Sequence, residues 1–157
     1  MERPIKKDPG THYTKLDTPS LILDLDAANT NLTLISAKLN SLKLKVRWNV
    51  NSHLTKDILS LQMKSVPNTK GISVTNISQA SIFSSLSDDI IVNNVVLSES
   101  KLSSITDLNA SPVYSSILQL NKIKSIYSDD LYIKIRIDSD FKFESDIINY
   151  LLNENYS

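Results

Sequence analysis

The stretch KLKVRWNVNSH, residues 43–53, decides the fold of this chain. Residues Leu44–Val50 predict a short β-strand, which runs out into the polar residues Asn51, Ser52 and His53. A helical pattern follows directly. A strand that ends in polar groups and leads into a helix is where α/β proteins bind their ligands. The stretch therefore predicts both a fold class and the position of a candidate site.

Strand-like and helical patterns alternate along the whole chain. Strands are expected at Leu21–Leu25, Leu44–Val50, Gly71–Thr75, Asp89–Asn93, Pro112–Ser115 and Leu131–Ile137. Helices are expected from Ala27 with Asp26 as the cap, at His53–Val66, Asn76–Leu86, Ser98–Leu108 and Ile117–Ile126, and from Asp146 to Leu152. This alternation predicts βαβ units and a parallel sheet. Six units favour either an incomplete TIM-type (β/α) barrel, with about six of its eight units, or a curved six-stranded sheet.

Two segments are expected. Residues 1–16 carry prolines and a glycine among charges, which predicts an extended lead-in. Residues 17–157 form the incomplete barrel domain, and 157 residues is a usual length for one core.

The composition excludes several classes of function. Seventeen basic and seventeen acidic side chains balance, so we expect no nucleic-acid partner and no membrane partner held by charge. The chain has no cysteine, which excludes disulfides and thiolate metal sites. No secretory signal and no apolar run of membrane-spanning length is present, so the location is predicted to be cytoplasmic. Only two glycines occur, which predicts few backbone positions with positive φ.

Several motifs resemble those of the D-threonine aldolase and D-serine dehydratase family, which are pyridoxal-phosphate barrels of the alanine-racemase type (fold type III). The string LDTPSLILDLDA, residues 16–27, is similar to the opening of that family. Arg47 and His53 match its Arg-Pro-His-x-Lys-Thr-His motif, and residues 93–96, NNVV, are similar to its Asn-Glu-Val-Val. The resemblance covers nearly all of this chain but only the first part of the family's length. It implies an N-terminal barrel part without the family's C-terminal β domain.

The same resemblance implies where a cofactor site would lie and what it lacks. Asn51 stands where the family has the lysine that forms an imine with the cofactor, and an amide nitrogen is not a nucleophile. Arg47, His53, Asp138 and Ser139 match cofactor-binding positions. No bound cofactor is therefore expected in this chain, although the family uses pyridoxal phosphate.

Other family positions have changed as well. Ser78 and Gln79 replace a Gly-Glu pair, and Gln79 lacks the charge of a base or a metal ligand. Asp140 replaces a glycine and Phe143 an arginine. A carboxylate at Asp140 would repel an anionic ligand nearby.

The histidine of the predicted barrel, His53, precedes Asp57 by four residues, which predicts a His/Asp pair on one helical face. Two ligands are too few for a transition-metal site, so no metal is expected. A histidine at the start of a helix beside an acid is more often structural than catalytic. Nor does the sequence contain a Gly-x-Ser-x-Gly elbow or a glycine loop for phosphate.

Two functions remain open from the sequence. The chain is either a degenerate, non-catalytic relative of these lyases, or a module of an active pyridoxal-phosphate lyase acting on D-3-hydroxy-amino acids. Losses at ligand-facing positions, with apolar spacing kept, favour the first. An incomplete barrel would also expose strand edges at Leu21–Leu25 and Leu131–Ile137, so we expect self-association through them.

Overall fold

Five parallel strands form one sheet in chain order, β1 to β5, in a computed structural model of the protein. The structure describes residues 7–126, 133–135, 146, 148–150, 152 and 153. The strands are β1 (Val46–Asn49), β2 (Thr69–Val74), β3 (Ile90–Val92), β4 (Ala110–Tyr114) and β5 (Lys134–Ile135). The helices are α1 (Leu25–Leu42), α2 (Lys56–Ser65), α3 (Ile77–Phe83), α4 (Glu99–Asp107) and α5 (Ile117–Ile126). The predicted α/β class is confirmed, and consecutive parallel strands joined by helices are the arrangement of a partial barrel.

The helices cover one face of the sheet and build the core there. Alternation along the strands turns one set of apolar side chains toward the helices. These strand residues are Ile72, Val74, Ile90, Val92, Ala110 and Tyr114, and the helices contribute Leu59, Ala80, Phe83, Leu102, Ile105, Leu120 and Ile123, all of them buried. The strand register places Arg47 beside Gly71 and Asn49 beside Ser73 on the opposite face. The two faces therefore differ in role: one holds the fold together, and the other carries polar groups.

Tyr114 is the largest fully buried side chain of this core. Its hydroxyl donates a 2.7 Å hydrogen bond to the carbonyl oxygen of Val96, in the segment between β3 and α4. Burial raises the pKa of Tyr114 to about 12, because the phenolate would lose its hydration. The ring thus fills the core while its hydroxyl fixes the segment that follows β3.

The strand predicted at Leu21–Leu25 is wrong. Residues 21–24 have no regular secondary structure, and α1 already begins at Leu25. Asp24, rather than Asp26, caps the helix by accepting a 2.9 Å hydrogen bond from the amide of Ala27. A strand needs a neighbouring strand, and the cap at Asp24 instead begins the helix two residues before the predicted start at Ala27. The described residues thus hold five strands where six were expected.

The later elements follow the prediction with small shifts of their ends. A 3-10 turn at Val50–Ser52 separates β1 from α2, so α2 begins three residues later than expected. Of the strand predicted at Leu131–Ile137, residues 133–135 are described, and Lys134–Ile135 form β5. Residues 146, 148–150, 152 and 153 are helical, as expected. None of the helices within the described ranges is long and apolar enough to cross a membrane.

Positive φ angles occur here without glycine. Lys43 (φ 54°), Leu54 (φ 53°) and Asn109 (φ 49°) have positive φ, as does Gly10 (φ 87°), so within the described residues such positions are few, as predicted, but most of them are not glycine. Lys43 ends α1, and its amide and that of Leu44 bond back to the last turn of the helix. The helix end requires this backbone conformation whether or not the residue is glycine.

Replacing Lys43 with glycine should stabilise the protein. A left-handed residue with a Cβ costs roughly 1–2 kcal/mol, so we expect Lys43→Gly to raise the free energy of unfolding by about 1 kcal/mol. Urea denaturation followed by the fluorescence of Trp48 measures the change.

Lys38→Gly is the matched control, because Lys38 is an exposed lysine inside the same helix. Glycine there should lower the free energy of unfolding by about 1 kcal/mol. Equal effects of both changes would contradict the strain assigned to Lys43.

Candidate functional site

Arg47 crosses the sheet instead of pointing toward a ligand. Its Nη1 donates to the carbonyl oxygens of Ile72 (3.1 Å) and Asp89 (3.0 Å), and its Nη2 donates to Asp89 Oδ2 at 2.6 Å. The guanidinium passes directly over Gly71, where a Cβ would lie 2.7 Å from Nη1 and 2.3 Å from the carbonyl oxygen of Asp89. Glycine is required at this position because nothing larger fits between the two groups.

The ion pair between Arg47 and Asp89 is partly buried. The hydrogen bond from Arg47 lowers the pKa of Asp89 below its ordinary value. Partial burial of the carboxyl opposes this shift, while the charges of Arg47, Lys134 and Lys70 add to it. The carboxylate is therefore ionised at neutral pH, and the charge of Arg47 is matched by a group of the protein itself.

Neutral polar side chains occupy the carboxyl ends of β1, β2 and β3. We call them the carboxyl-edge cluster, and its members are Asn49, Asn51, Ser73, Thr75, Gln79 and Asn93. Each lies at or just beyond the end of a strand, except Gln79, which reaches back from α3. The cluster therefore forms at the edge of the sheet where parallel α/β proteins bind ligands, as the sequence predicted.

The members of this cluster bond to one another and to nearby backbone. Asn51 donates through Nδ2 to Thr75 Oγ1, and Asn93 donates through Nδ2 to Ser73 Oγ, two short contacts. Gln79 Oε1 accepts from the amide of Thr75 at 2.8 Å, and Asn49 Oδ1 from the amide of Asn51 at 3.1 Å. Each member of the cluster thus has at least one hydrogen bond within the protein.

His53 lies beside this edge but is held by different partners from those expected. Its Nδ1 accepts a 3.1 Å hydrogen bond from the amide of Thr55, so Nε2 carries the proton and donates to Gln62 Oε1 at 3.2 Å. The predicted pair with Asp57 is wrong, because α2 begins only at Lys56 and His53 is not on its face. These two bonds fix the orientation of the imidazole ring.

Some predicted site residues cannot be placed. Asp138 and Ser139, with Asp140 and Phe143, lie outside the described residues. Within the described part of the chain, no group of three or more His, Asp or Glu side chains comes together as a metal would require.

The sequence did not identify two of the partners. Asp89 directly precedes an apolar strand. Arg47 alternates with Val46 and Trp48, which places the Arg47 side chain on the polar face. The sequence therefore shows each residue of the ion pair separately. Their contact depends on strand order, which a single sequence does not contain. Ser73 was hidden for another reason, since a serine inside an apolar run looks like any other strand residue.

Solved structures with the same fold are known. The structure is similar to D-threonine aldolase from Filomicrobium marinum, with a TM-score of 0.67 and 23% identity over 78% of this chain and 35% of that one. It is also similar to D-threo-3-hydroxyaspartate dehydratase from Delftia sp. HT23, with a TM-score of 0.68 and 20% identity over 80% of this chain and 35% of that one. The sequence itself matches no family model and no curated protein.

These similarities confirm the sequence resemblance at the level of the fold. The chain spans about a third of the length of the structures it matches. Low identity leaves the chemistry to be argued from the site itself.

The described residues do not fit pyridoxal phosphate. An imine needs an amine, and Asn51 carries an amide that already donates to Thr75. A phosphate needs cations or free backbone amides, but the carboxyl-edge cluster is uncharged and Arg47 is bound to Asp89. Among the described residues, this edge offers neither an amine for the imine nor an unpaired cation for the phosphate.

Gly71→Ala should be strongly destabilising. The added Cβ would meet the backbone oxygen of Asp89 at 2.3 Å, so β2 and β3 must move apart. We expect the free energy of unfolding to fall by about 2–3 kcal/mol, as for other overpacked sites. Urea denaturation measures the loss. It should persist in an Arg47→Ala background, because the backbone contact remains; unchanged stability there would contradict this.

Acid should weaken the fold through Asp89. Its pKa is lower in the folded chain than in the unfolded chain, so its stabilisation is complete above the ordinary carboxyl pKa and is lost as the pH falls through the folded value. We expect Asp89→Asn to be less stable at neutral pH and to show a smaller further loss between about pH 5 and pH 2. Thermal unfolding across that range is the measurement, with Asp88→Asn, a neighbouring carboxylate, as the control.

Proposed function

We propose that this chain is a degenerate, non-catalytic relative of the pyridoxal-phosphate barrel lyases that act on D-3-hydroxy-amino acids. The observation that carries the proposal is the contact of Asn51. It stands at the position of the imine-forming lysine in the motif, and its amide is bound to Thr75 on the neighbouring strand end. The side chain of Asn51 thus joins two neighbouring strand ends, whereas a lysine that forms an imine must keep its amine free for the cofactor.

The remaining changes support the same proposal. Gln79 uses its side-chain oxygen to accept the amide of Thr75, so it acts as a backbone partner where the family has a glutamate. Arg47 keeps its charge but directs it to Asp89. Lys56, the nearest described lysine after Asn51, bonds to Ser85 at 3.4 Å. Each polar position has become part of the fold's own hydrogen bonding.

In this proposal the chain is a pseudoenzyme that retains a barrel-type fold as a structural or binding unit. The cytoplasmic location and the absence of nucleic-acid and membrane partners stay predictions from the sequence. The alternative, a module of an active lyase, would require the edge to bind pyridoxal phosphate, and one experiment separates the two.

The experiment restores the lysine. Asn51→Lys and the matched control Ser52→Lys each place one exposed amine at this edge. We expect both variants to show the same weak modification by pyridoxal phosphate after borohydride reduction, measured by mass spectrometry, because neither finds a phosphate partner. If the edge instead held the cofactor through several charge-assisted bonds of roughly 1.5–3 kcal/mol each, the affinity of Asn51→Lys for pyridoxal phosphate would exceed that of the control by orders of magnitude. The modified fraction of Asn51→Lys would then be much the larger.

Turnover provides the second measurement. Neither variant should release glycine from D-threonine or pyruvate from D-serine. Product release by Asn51→Lys would show that a working cofactor site remains, and the proposal would fail. A phosphopyridoxyl adduct on any residue from Lys45 to Lys56 of the chain without substitutions would have the same consequence.

A further inference from the structure

Two junctions between a strand and the helix that follows it, after β2 and after β4, have the same length. Residues 75–76 join β2 to α3, and residues 115–116 join β4 to α5. The junctions after β1 and β3 are longer, with six residues each, at 50–55 and 93–98. Short and long junctions therefore alternate along the part of the sheet that the structure describes.

The short junction after β2 is closed by two side chains at the start of α3. Gln79 Oε1 accepts a 2.8 Å hydrogen bond from the amide of Thr75, and Asn76 Oδ1 accepts a 2.9 Å bond from the amide of Gln79. The pair resembles a capping box, except that the glutamine reaches one residue further back, to the residue that follows the strand. We call such a pair of bonds a junction clamp, because it ties a strand end to the first turn of the next helix.

The short junction after β4 has the same clamp. Gln119 Oε1 accepts a 3.0 Å hydrogen bond from the amide of Ser115, and Ser116 Oγ accepts a 3.3 Å bond from the amide of Gln119. The numbers of corresponding residues differ by 40 in each case: 75 and 115, 76 and 116, 79 and 119. The caps of the helices after the long junctions, Thr55 and Ser98, make no side-chain cap bond. The clamp thus belongs to the short junctions among the described residues.

The core positions next to the two clamps correspond as well. The strands and helices on either side bury residues at the same spacing of 40, which are Val74 and Tyr114, Ala80 and Leu120, and Phe83 and Ile123. The members of each pair differ in size, while their positions relative to the junction are equal. The feature that the two units share is therefore the backbone path through the junction, which the clamp holds.

We propose that Gln79 and Gln119 form equivalent, interchangeable clamps, and that the clamped strand ends are the fixed supports of the carboxyl edge. The long junctions attach to the first of these supports from both sides. Asn51, after β1, donates to Thr75 Oγ1, and Asn93, after β3, donates to Ser73 Oγ on β2. Each glutamine thus acts on the edge through the backbone that it holds.

The equivalence also assigns Ser115 to this edge of the sheet. Val74 and Tyr114 are buried in the core, so the alternation of side chains along a strand turns the next residues, Thr75 and Ser115, toward the polar face. Thr75 already accepts a hydrogen bond there from Asn51. Ser115 takes the corresponding place at β4, which adds a hydroxyl at the end of a fourth strand to the polar groups of the carboxyl-edge cluster.

Amide hydrogen exchange of the full chain, followed for single residues by NMR, tests the clamps. Gln79→Ala should speed exchange at Thr75 by roughly tenfold and leave Ser115 unchanged, because one acceptor is lost locally. Gln119→Ala should have the reverse effect. Glutamate at either position keeps the acceptor oxygen and should keep the protection. Gln62→Ala, which removes a glutamine that bonds to His53, is the matched control and should change neither amide.

Three results of this measurement would overturn the proposal. The first is faster exchange at both amides in a single alanine variant, and the second is no change at either amide. The third is a glutamate variant that exchanges as fast as the alanine variant, since the acceptor oxygen would then not be what protects the amide.

A transplant tests whether the two clamps are interchangeable. Ser115→Thr, Ser116→Asn and Leu118→Ser together convert residues 115–119 into the sequence of residues 75–79. We expect the exchange rate of the amide at position 115 and the midpoint of urea unfolding to stay unchanged. A transplant that exchanges at this amide as fast as Gln119→Ala would show that the junctions are not equivalent and would overturn the proposal.

The control for the transplant moves the acceptor without changing the composition. Leu118→Gln combined with Gln119→Leu shifts the glutamine by one residue around α5, so that it no longer faces the strand end. We expect exchange at Ser115 to rise by roughly tenfold, as in Gln119→Ala. Full protection of Ser115 in this control would contradict a clamp formed by Gln119.

Discussion

The crossing of Arg47 over Gly71 to Asp89 is the constraint on which the polar face of the sheet depends. It ties three strands with one side chain, because the guanidinium starts on β1, donates to the backbone of β2 and ends on the residue before β3. The glycine below it has no alternative, and the carboxylate beyond it is held ionised by the same bond. Because Asp89 neutralises Arg47 within the protein, this cation is not available to an anionic ligand at the neighbouring edge of the sheet.

The carboxyl-edge cluster follows the same principle of internal satisfaction. A ligand site keeps some donors and acceptors free until its ligand arrives, and it accepts the cost of leaving them to water. Here amides and hydroxyls of adjacent strand ends pair with each other. Such pairs stiffen the strand ends and leave fewer groups for a ligand to satisfy. The backbone path at this edge is similar to that of the solved structures that the chain matches.

The sequence predicted the alternating elements, the parallel sheet and the polar edge, because periodicity and turn residues are local properties. The motifs of the sequence also resemble those of the lyase family, and the solved structures that the chain matches have the same fold. It failed at Leu21–Leu25, where strand-forming residues lack a strand neighbour and Asp24 starts a helix instead. It paired His53 with Asp57 by counting along a helix that begins too late. The partners of Arg47 and Asn51 depend on which strands are adjacent, and adjacency is a property of the folded chain.

The order of the strands has a consequence for how this molecule could form and change. Every strand follows its predecessor in both sequence and space, so the sheet grows by nearest-neighbour addition, like a short linear array. In such an array, cooperativity is carried by the junctions between successive units rather than by contacts between remote ends. Each such junction joins strands that are close in sequence and separated by one helix, so only a short chain segment has to be closed before the two strands meet.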